Sequence, residues 1–210
     1  MKRREFSLST AALAAGALSL PVWAQPREGK DYRKLSKHAP TEAQAGKIEV
    51  VEFFGYFCPH CNTFEPTLNA WSKTAPKDIV LHRVPVNFNA KTVPMQKLYY
   101  TLEGMGKLEA LHVQAFRYIH VERKPLQEDE QVFAWANAQG LDMAKFKEMY
   151  NSFGVANQIR KATQLQQAYD VEGVPSMGVA GRYYVDGTMA GSMENVLRVV
   201  EQLAAQVRKG

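Results

Sequence analysis

The chain of 210 residues contains only two cysteines. It can therefore close at most one disulfide and cannot be a small scaffold stapled by several. Two thiols also fall short of a four-ligand zinc site, and His38, His82, His112 and His120 show no paired zinc-ligand spacing, so no metal site is expected. Asn62 rather than a histidine follows Cys61, which argues against covalent haem attachment. No apolar run reaches the roughly 20 residues that cross a bilayer. No interleaved basic and aromatic stretch points to nucleic acid. Internal repeats and low-complexity tracts are absent after Ala24.

The chain begins with a processing signal. Lys2, Arg3 and Arg4 give a basic start, and Leu8 to Leu20 is mostly Ala, Leu, Ser and Gly. Val22-Trp23-Ala24 offers small residues where a signal peptidase reads, and with Pro21 it favours cleavage near Ala24 over retention as an anchor. Arg3-Arg4-Glu5-Phe6-Ser7-Leu8 resembles a twin-arginine export signal, so the export route stays open. Residues 1–24 are thus read as a signal peptide, and the chain from Gln25 onward as an exported, soluble protein. Of the net charge of +5, +2 belongs to the discarded segment (Lys2, Arg3 and Arg4 against Glu5). The mature chain is long enough for one large domain or a domain carrying an insertion.

Gln25 to Lys47 is polar and reads as an arm with a short strand near Tyr32 to Leu35. Ile48 to Phe54 has the apolar, β-branched and aromatic content of a buried strand, interrupted by Glu52. Gly55 ends it. A helix is predicted from Cys58, with Pro59 in its first turn, a kink at Pro66 and an end at Pro76. Ile79 to Phe88 alternates as a second strand, in which Pro85 requires a bulge, the strand end or an unpaired position. These three elements make a βαβ unit with the cysteines at its ligand-facing edge. From Asn89 to Asp170 the periodicity is helical, with Gly140 as a C-cap and Asp142 as an N-cap. Met177 to Val179 and Arg182 to Val185 then read as a hairpin, Asp186-Gly187 as a turn, and Ser192 as the cap of a last helix.

Chemistry concentrates at Cys58-Pro59-His60-Cys61. A bridge across two intervening residues constrains the unfolded chain far less than a long-loop staple, so a reactive role fits better than a structural clasp. At a helix N-terminus the unpaired N–H groups and the macrodipole favour a negative Cys58 sulfur. A protonated His60 beside it does the same. A stabilised thiolate favours the reduced form, which makes the disulfide an oxidant.

The sequence resembles the DsbA-type periplasmic thiol:disulfide oxidoreductases of the thioredoxin superfamily. The resemblance rests on Glu52-Phe53-Phe54 before Phe57-Cys58-Pro59-His60-Cys61, on Val86-Asn87-Phe88, on Asn151-Ser152-Phe153 and on Gly173-Val174-Pro175. That family is itself a reference case for a low-pKa Cys-x-x-Cys thiolate and an oxidising disulfide, so Pro59-His60 and the resemblance are not independent witnesses. The resemblance implies an α/β thioredoxin fold with an inserted all-helical domain. Its thioredoxin-like part is expected at 25–89 and 171–210, and its helical insertion at 90–170. Cys58 becomes the exposed attacking sulfur and Cys61 its buried partner, with no other cofactor. Val174-Pro175 resembles the cis-proline loop that holds substrate, and Glu52 a buried acid that helps proton transfer at Cys61. Arg83 falls near the family's lysine partner to that acid; an always-charged guanidinium is expected to hold Glu52 ionised more firmly than lysine does. Phe57, Tyr56 and Met177 are expected to form an apolar platform, core packing being the alternative for Tyr56 and Met177.

The function implied is a monomeric periplasmic oxidase that passes its disulfide to unfolded, newly exported proteins with free cysteines. A DsbB-like membrane quinone reductase would reoxidise it, and no nucleic acid is involved. An isomerase or reductant of the same fold is the nearest rival, although Gln25 to Lys47 is too short for an N-terminal dimerisation domain. A peptide-binding chaperone with incidental cysteines is the rival from another class.

Overall fold

The computed structural model describes residues 25–209. The signal peptide read from the sequence lies outside the described residues. Among those described, one sheet of five strands runs in the order β1 (Arg33–Lys34), β5 (Tyr183–Asp186), β4 (Ser176–Val179), β2 (Ile48–Phe54) and β3 (Ile79–Pro85). β2 and β3 are parallel and joined by α1 (Pro59–Thr74); the other pairs are antiparallel. Every residue of β2 is buried, as a strand covered on both faces requires.

The two faces have different covers. On one, Val50, Met177, Val179 and Val185 pack with Phe64 and Leu68 of α1 and with Val196, Val199, Val200 and Leu203 of α8 (Met193–Val207). On the other, Val51 and Phe53 pack against helices inserted between β3 and β4. These are α2 (Val93–Gly104), α3 (Leu108–His120), α4 (Asp129–Ala138), α5 (Met143–Tyr150) and α6 (Phe153–Ala168). Leu98, Phe116, Trp135, Phe146 and Tyr169 make this the larger core. The architecture is the thioredoxin fold with an inserted helical domain that the resemblance implied.

Local chemistry explains most boundaries. Asp142 accepts from the Ala144 and Lys145 N–H groups at the start of α5, and Ser192 accepts from Asn195 at the start of α8. The β4–β5 link is built on Ala180 and Gly181, at φ +53° and +66°, the left-handed pair that a tight hairpin needs. The Gly181 carbonyl accepts from the Ala39 N–H, which draws the two segments so close that a Cβ at Gly181 would run into the Ala39 carbonyl.

Two expectations need correction. β3 stops at Pro85 instead of reaching Phe88, because Pro85 has no N–H to extend the ladder. Beyond it Asn87 Oδ1 accepts from the Asn89 N–H at 3.0 Å and from Thr92 Oγ1 at 2.7 Å, and this turns the chain into a 3₁₀ segment, Ala90–Thr92. Asp186-Gly187 does more than turn: Asp186 Oδ1 accepts from the Met189 N–H at 2.9 Å and caps a short helix, α7 (Gly187–Ala190). As the sequence predicts, Pro66 lies inside α1, which continues past it to Thr74, just before Pro76.

Candidate active site

The β2 strand delivers Gly55, Tyr56 and Phe57 to the sheet edge, and Cys58 becomes the N-cap of α1. Its N–H donates to the Gly55 carbonyl at 3.0 Å. Pro59 occupies the first helical position, where a missing N–H is no loss. One turn on, the Cys61 N–H donates to Cys58 Sγ at 3.2 Å, so the sulfur takes the place that a serine or aspartate oxygen usually fills. Both cysteines are free thiols. In its thiol form Cys58 Sγ donates to the Val174 carbonyl at 3.3 Å, next to the cis Val174–Pro175 peptide bond. Sequence expectation made Cys58 an exposed sulfur. It is only 6% exposed against 1% for Cys61, because the Val174-Pro175 loop covers it.

The two thiols differ in proton affinity. The Cys61 thiol hydrogen bond, backbone N–H groups of Cys61 and His60, and the nearby His60 charge outweigh burial and lower the Cys58 pKa to about 6. Burial, followed by donation to Cys58 and the repulsion of its charge, pushes Cys61 far above the ordinary thiol range. The arrangement therefore separates one ionised sulfur from one protonated sulfur at neutral pH.

Pro59 and His60 are exposed on the rim. An open groove of about 500 Å³ runs from His60, Val174 and Pro175 to Asp186, Thr188 and Met193. Phe57 is half-buried, its ring lying over Gly55, where a Cβ would collide with it. It meets Phe88 edge-on at 6.1 Å, and Phe88 is 42% exposed. Tyr56 and Met177 do not join this rim. Met177 has no exposed surface; it sits in β4 opposite Glu52, within the core shared with α1 and α8. Tyr56, 1% exposed, packs on Phe54 and Phe116 beneath the helical insertion. The alternation of β4 decides the first case, and the inward turn of the chain after Phe54 the second.

Behind the sulfurs lies a cluster of buried charge. Glu52 is 1% exposed, and its Oε2 is 3.2 Å from Arg83 Nε, though not aligned as a hydrogen bond. Arg83 Nη2 donates to Glu65 Oε1 at 3.0 Å. Glu65 Oε2 is 3.4 Å from His112 Nε2, and His112 Nδ1 shares a 2.8 Å hydrogen bond with Tyr56 Oη. His120 closes the chain on the Tyr56 carbonyl, also at 2.8 Å. Arg83 does pair with Glu52, but it does not hold that acid ionised as expected. Burial dominates, and with the Glu65 charge it raises Glu52 to about 8 against the pull of Arg83. Glu52 and Cys61 each feel this shared environment, the Glu52 charge contributing to the rise at Cys61.

Sequence reasoning missed Glu65 and His112. Glu65 stands four residues after Cys61, hence on the same helix face, which was a usable signal. His112 had none, since its α3 neighbours read as an ordinary amphipathic helix. Among the described residues, no group of three or more His, Cys, Asp or Glu side chains is placed to hold a metal.

Comparison with known proteins agrees with this geometry. The DSBA-like thioredoxin domain family matches residues 49–199. The thiol:disulfide interchange protein DsbA of Bordetella parapertussis is 43% identical over 203 residues, 96% of each chain. That of Azotobacter vinelandii is 39% identical, over 97% of this chain and 92% of its own. The crystal structure of Pseudomonas aeruginosa DsbA superposes with a TM-score of 0.81 at 40% identity, covering 86% of this chain and 94% of that one. The Xylella fastidiosa oxidoreductase DsbA gives 0.82 at 29% identity, covering 89% and 100%. With its strand, its helix-capping Cys58, its Cys61 and its inserted helices in that frame, the chain belongs to the DSBA-like thioredoxin family and is a thiol:disulfide oxidoreductase.

Proposed function

We propose that this oxidoreductase works as a dithiol oxidase in the periplasm, as a monomer, on unfolded exported proteins with free cysteines. The observation that supports it best is the split between a Cys58 sulfur capping α1 and a sealed Cys61. A substrate thiolate attacks Cys58 Sγ, and the Cys58–Cys61 bond breaks. Its electron pair goes to Cys61 Sγ, which takes up a proton, while a mixed disulfide joins substrate to Cys58. A second substrate thiolate then attacks the substrate sulfur of that bond. The electron pair returns to Cys58, which leaves as a thiolate, and the substrate departs oxidised. Two electrons remain on the protein for a quinone-linked membrane partner of the DsbB kind to remove.

In this scheme Cys58 and Cys61 exchange electrons, while Pro59 and His60 set the charge at the helix end. Pro175 and Val174 present backbone to the substrate, Phe57 gives it an apolar edge, and Glu52 handles the proton of Cys61. Residues 25–89 and 171–210 form the thioredoxin-like domain and residues 90–170 the helical insertion. A stabilised Cys58 thiolate is what favours oxidation of substrate over its reduction. Equilibration of the protein with glutathione buffers tests the direction. A potential near that of strongly reducing dithiols would overturn the oxidase reading in favour of a reductant. A Cys58→Ser variant with full activity in a reduced-substrate oxidation assay would overturn the redox reading, whereas peptide binding retained by it would not.

A further inference from the structure

The proton on Glu52 has to be kept there at neutral pH although Arg83 stands beside it. The Nε–H and Nη2–H groups of arginine lie on one edge of the guanidinium and point the same way. Glu52 Oε2 and Glu65 Oε1 therefore face a single cation side by side, at 3.2 and 3.0 Å. One positive charge does not neutralise two buried carboxylates, so one acid is ionised and the other retains a proton.

Geometry separates them. Glu65 has an aligned hydrogen bond from Arg83 and lines an open cleft of about 330 Å³ between α1 and α3, whose rim carries Lys73 and Glu109. The cleft lets water reach it. Glu52 has neither feature: its contact with Arg83 is unaligned, and it does not line the cleft. The remaining partner of Glu65 is His112, whose buried Nε2 makes no hydrogen bond and faces Glu65 Oε2 at 3.4 Å. Phe54, Tyr56, Tyr99 and Phe116 surround that ring at 5.3 to 6.0 Å and fix its plane. The Tyr56 hydroxyl occupies Nδ1, which leaves Nε2 to carry a proton towards Glu65.

We propose that His112 is a positioning residue for thiol exchange: donating towards Glu65, it keeps that carboxylate charged against Arg83 and so leaves the proton on Glu52. When Cys61 leaves from the disulfide, its sulfur takes that proton, and Glu52 regains one from solvent by way of the Glu65 cleft. This rests on the proposed service of Glu52 to Cys61. The groups facing His112 and its partner are Tyr56 after β2, Glu52 on β2, Arg83 on β3, Glu65 and Lys73 on α1, Tyr99 on α2 and Glu109 on α3; only Glu65 meets Nε2 directly.

The experiment follows the Glu52 carboxyl carbon by ¹³C NMR against pH in the full-length oxidised protein, in wild type, His112→Met and His112→Gln. Methionine fits the aromatic cage without a donor, whereas the glutamine amide restores one. The Glu52 midpoint should fall by about one unit or more in His112→Met and return close to wild type in His112→Gln. Glu65→Gln, which leaves the cage intact, should lower it in the same direction. A midpoint unmoved in His112→Met, or in Glu65→Gln should the methionine variant not fold, overturns the inference. So does a fall that His112→Gln fails to reverse. The role of Glu52 itself is read separately, from the pH profile of mixed-disulfide formation in Glu52→Gln. An unchanged profile there ends the proton-transfer reading of Glu52 while the carbon titration still reports on His112.

Discussion

The Cys61 amide N–H donates to Cys58 Sγ at 3.2 Å, so one active-site cysteine caps the helix turn that contains the other. Ionising Cys58 strengthens that hydrogen bond, and oxidation removes the charge that it stabilises. The helix end therefore prefers the reduced protein.

Alkylation of the reduced protein by iodoacetamide should show a single midpoint near a pKa of about 6, assigned to Cys58, with Cys61 unreactive at neutral pH. A midpoint close to the free-thiol value of 9.0 would contradict the capping account. Stability carries the same signature. Cys58 is an acid whose folded pKa is depressed, so its contribution is fully present above the unfolded value and is lost as pH falls through about 6. Denaturation of the reduced form, measured relative to the oxidised form, should thus show stability rising between roughly pH 6 and pH 9.

The causes of the low Cys58 pKa can be ranked by substitution. Among the contributions that lower it, the Cys61 thiol is the largest and the His60 charge the least. Cys61→Ala should therefore raise the Cys58 midpoint more than His60→Ala does, because the alanine at 60 keeps its backbone N–H. Each unit of rise weakens the reduced form by about 1.4 kcal/mol and makes the disulfide about 30 mV less oxidising. Alkylation of both variants checks the order, and glutathione titration of His60→Ala, the one of the two that still closes the disulfide, checks the potential; the reverse order would place the main cause in His60.

Glu52 gives the opposite slope. Its folded pKa is raised from 4.5 to about 8, so the stability it contributes is present below the unfolded value and lost as pH rises through the folded one. Glu52→Gln should leave stability near pH 4 little changed and increase it relative to wild type progressively up to about pH 8. Urea denaturation of the oxidised proteins at several pH values measures this, and a constant difference across the range would show that Glu52 is ionised throughout.

The sheet itself is sensitive at Gly178. A Cβ there would run into the ring of Tyr169, a fully buried residue whose hydroxyl accepts from the Gly181 N–H at 3.0 Å. Gly178→Ala should cost about 1–3 kcal/mol, the usual penalty of overpacking a filled core. Tyr169→Phe, which only removes the hydrogen bond, should cost about 1 kcal/mol. Chemical denaturation distinguishes them, and equal losses would mean that the ring yields.

Much of the frame is legible in the sequence. The apolar, β-branched run marks β2, and the Cys-Pro pair marks the start of α1, because strand burial and helix capping are local rules. The caps Asp142 and Ser192 are legible for the same reason. Phe88, by contrast, extends the alternation of β3 in the sequence, whereas Pro85 and the Asn87–Thr92 hydrogen bonds end the strand. Met177 is apolar and close in sequence to Pro175, which suggests the rim; strand alternation sends it to the opposite core instead.

By itself the sequence determined the redox centre: two cysteines, a proline to fix the first turn and a strand to deliver them need no distant partner. Only the tertiary structure decided how the protons are held. Glu52, Arg83, Glu65 and His112 come from β2, β3, α1 and α3, and no spacing along the chain relates them. Burial decided that Arg83 does not keep Glu52 ionised, since desolvation depends on what covers a residue rather than on what precedes it. A different cover, the Val174-Pro175 loop, leaves Cys58 only 6% exposed where the sequence suggested an exposed sulfur.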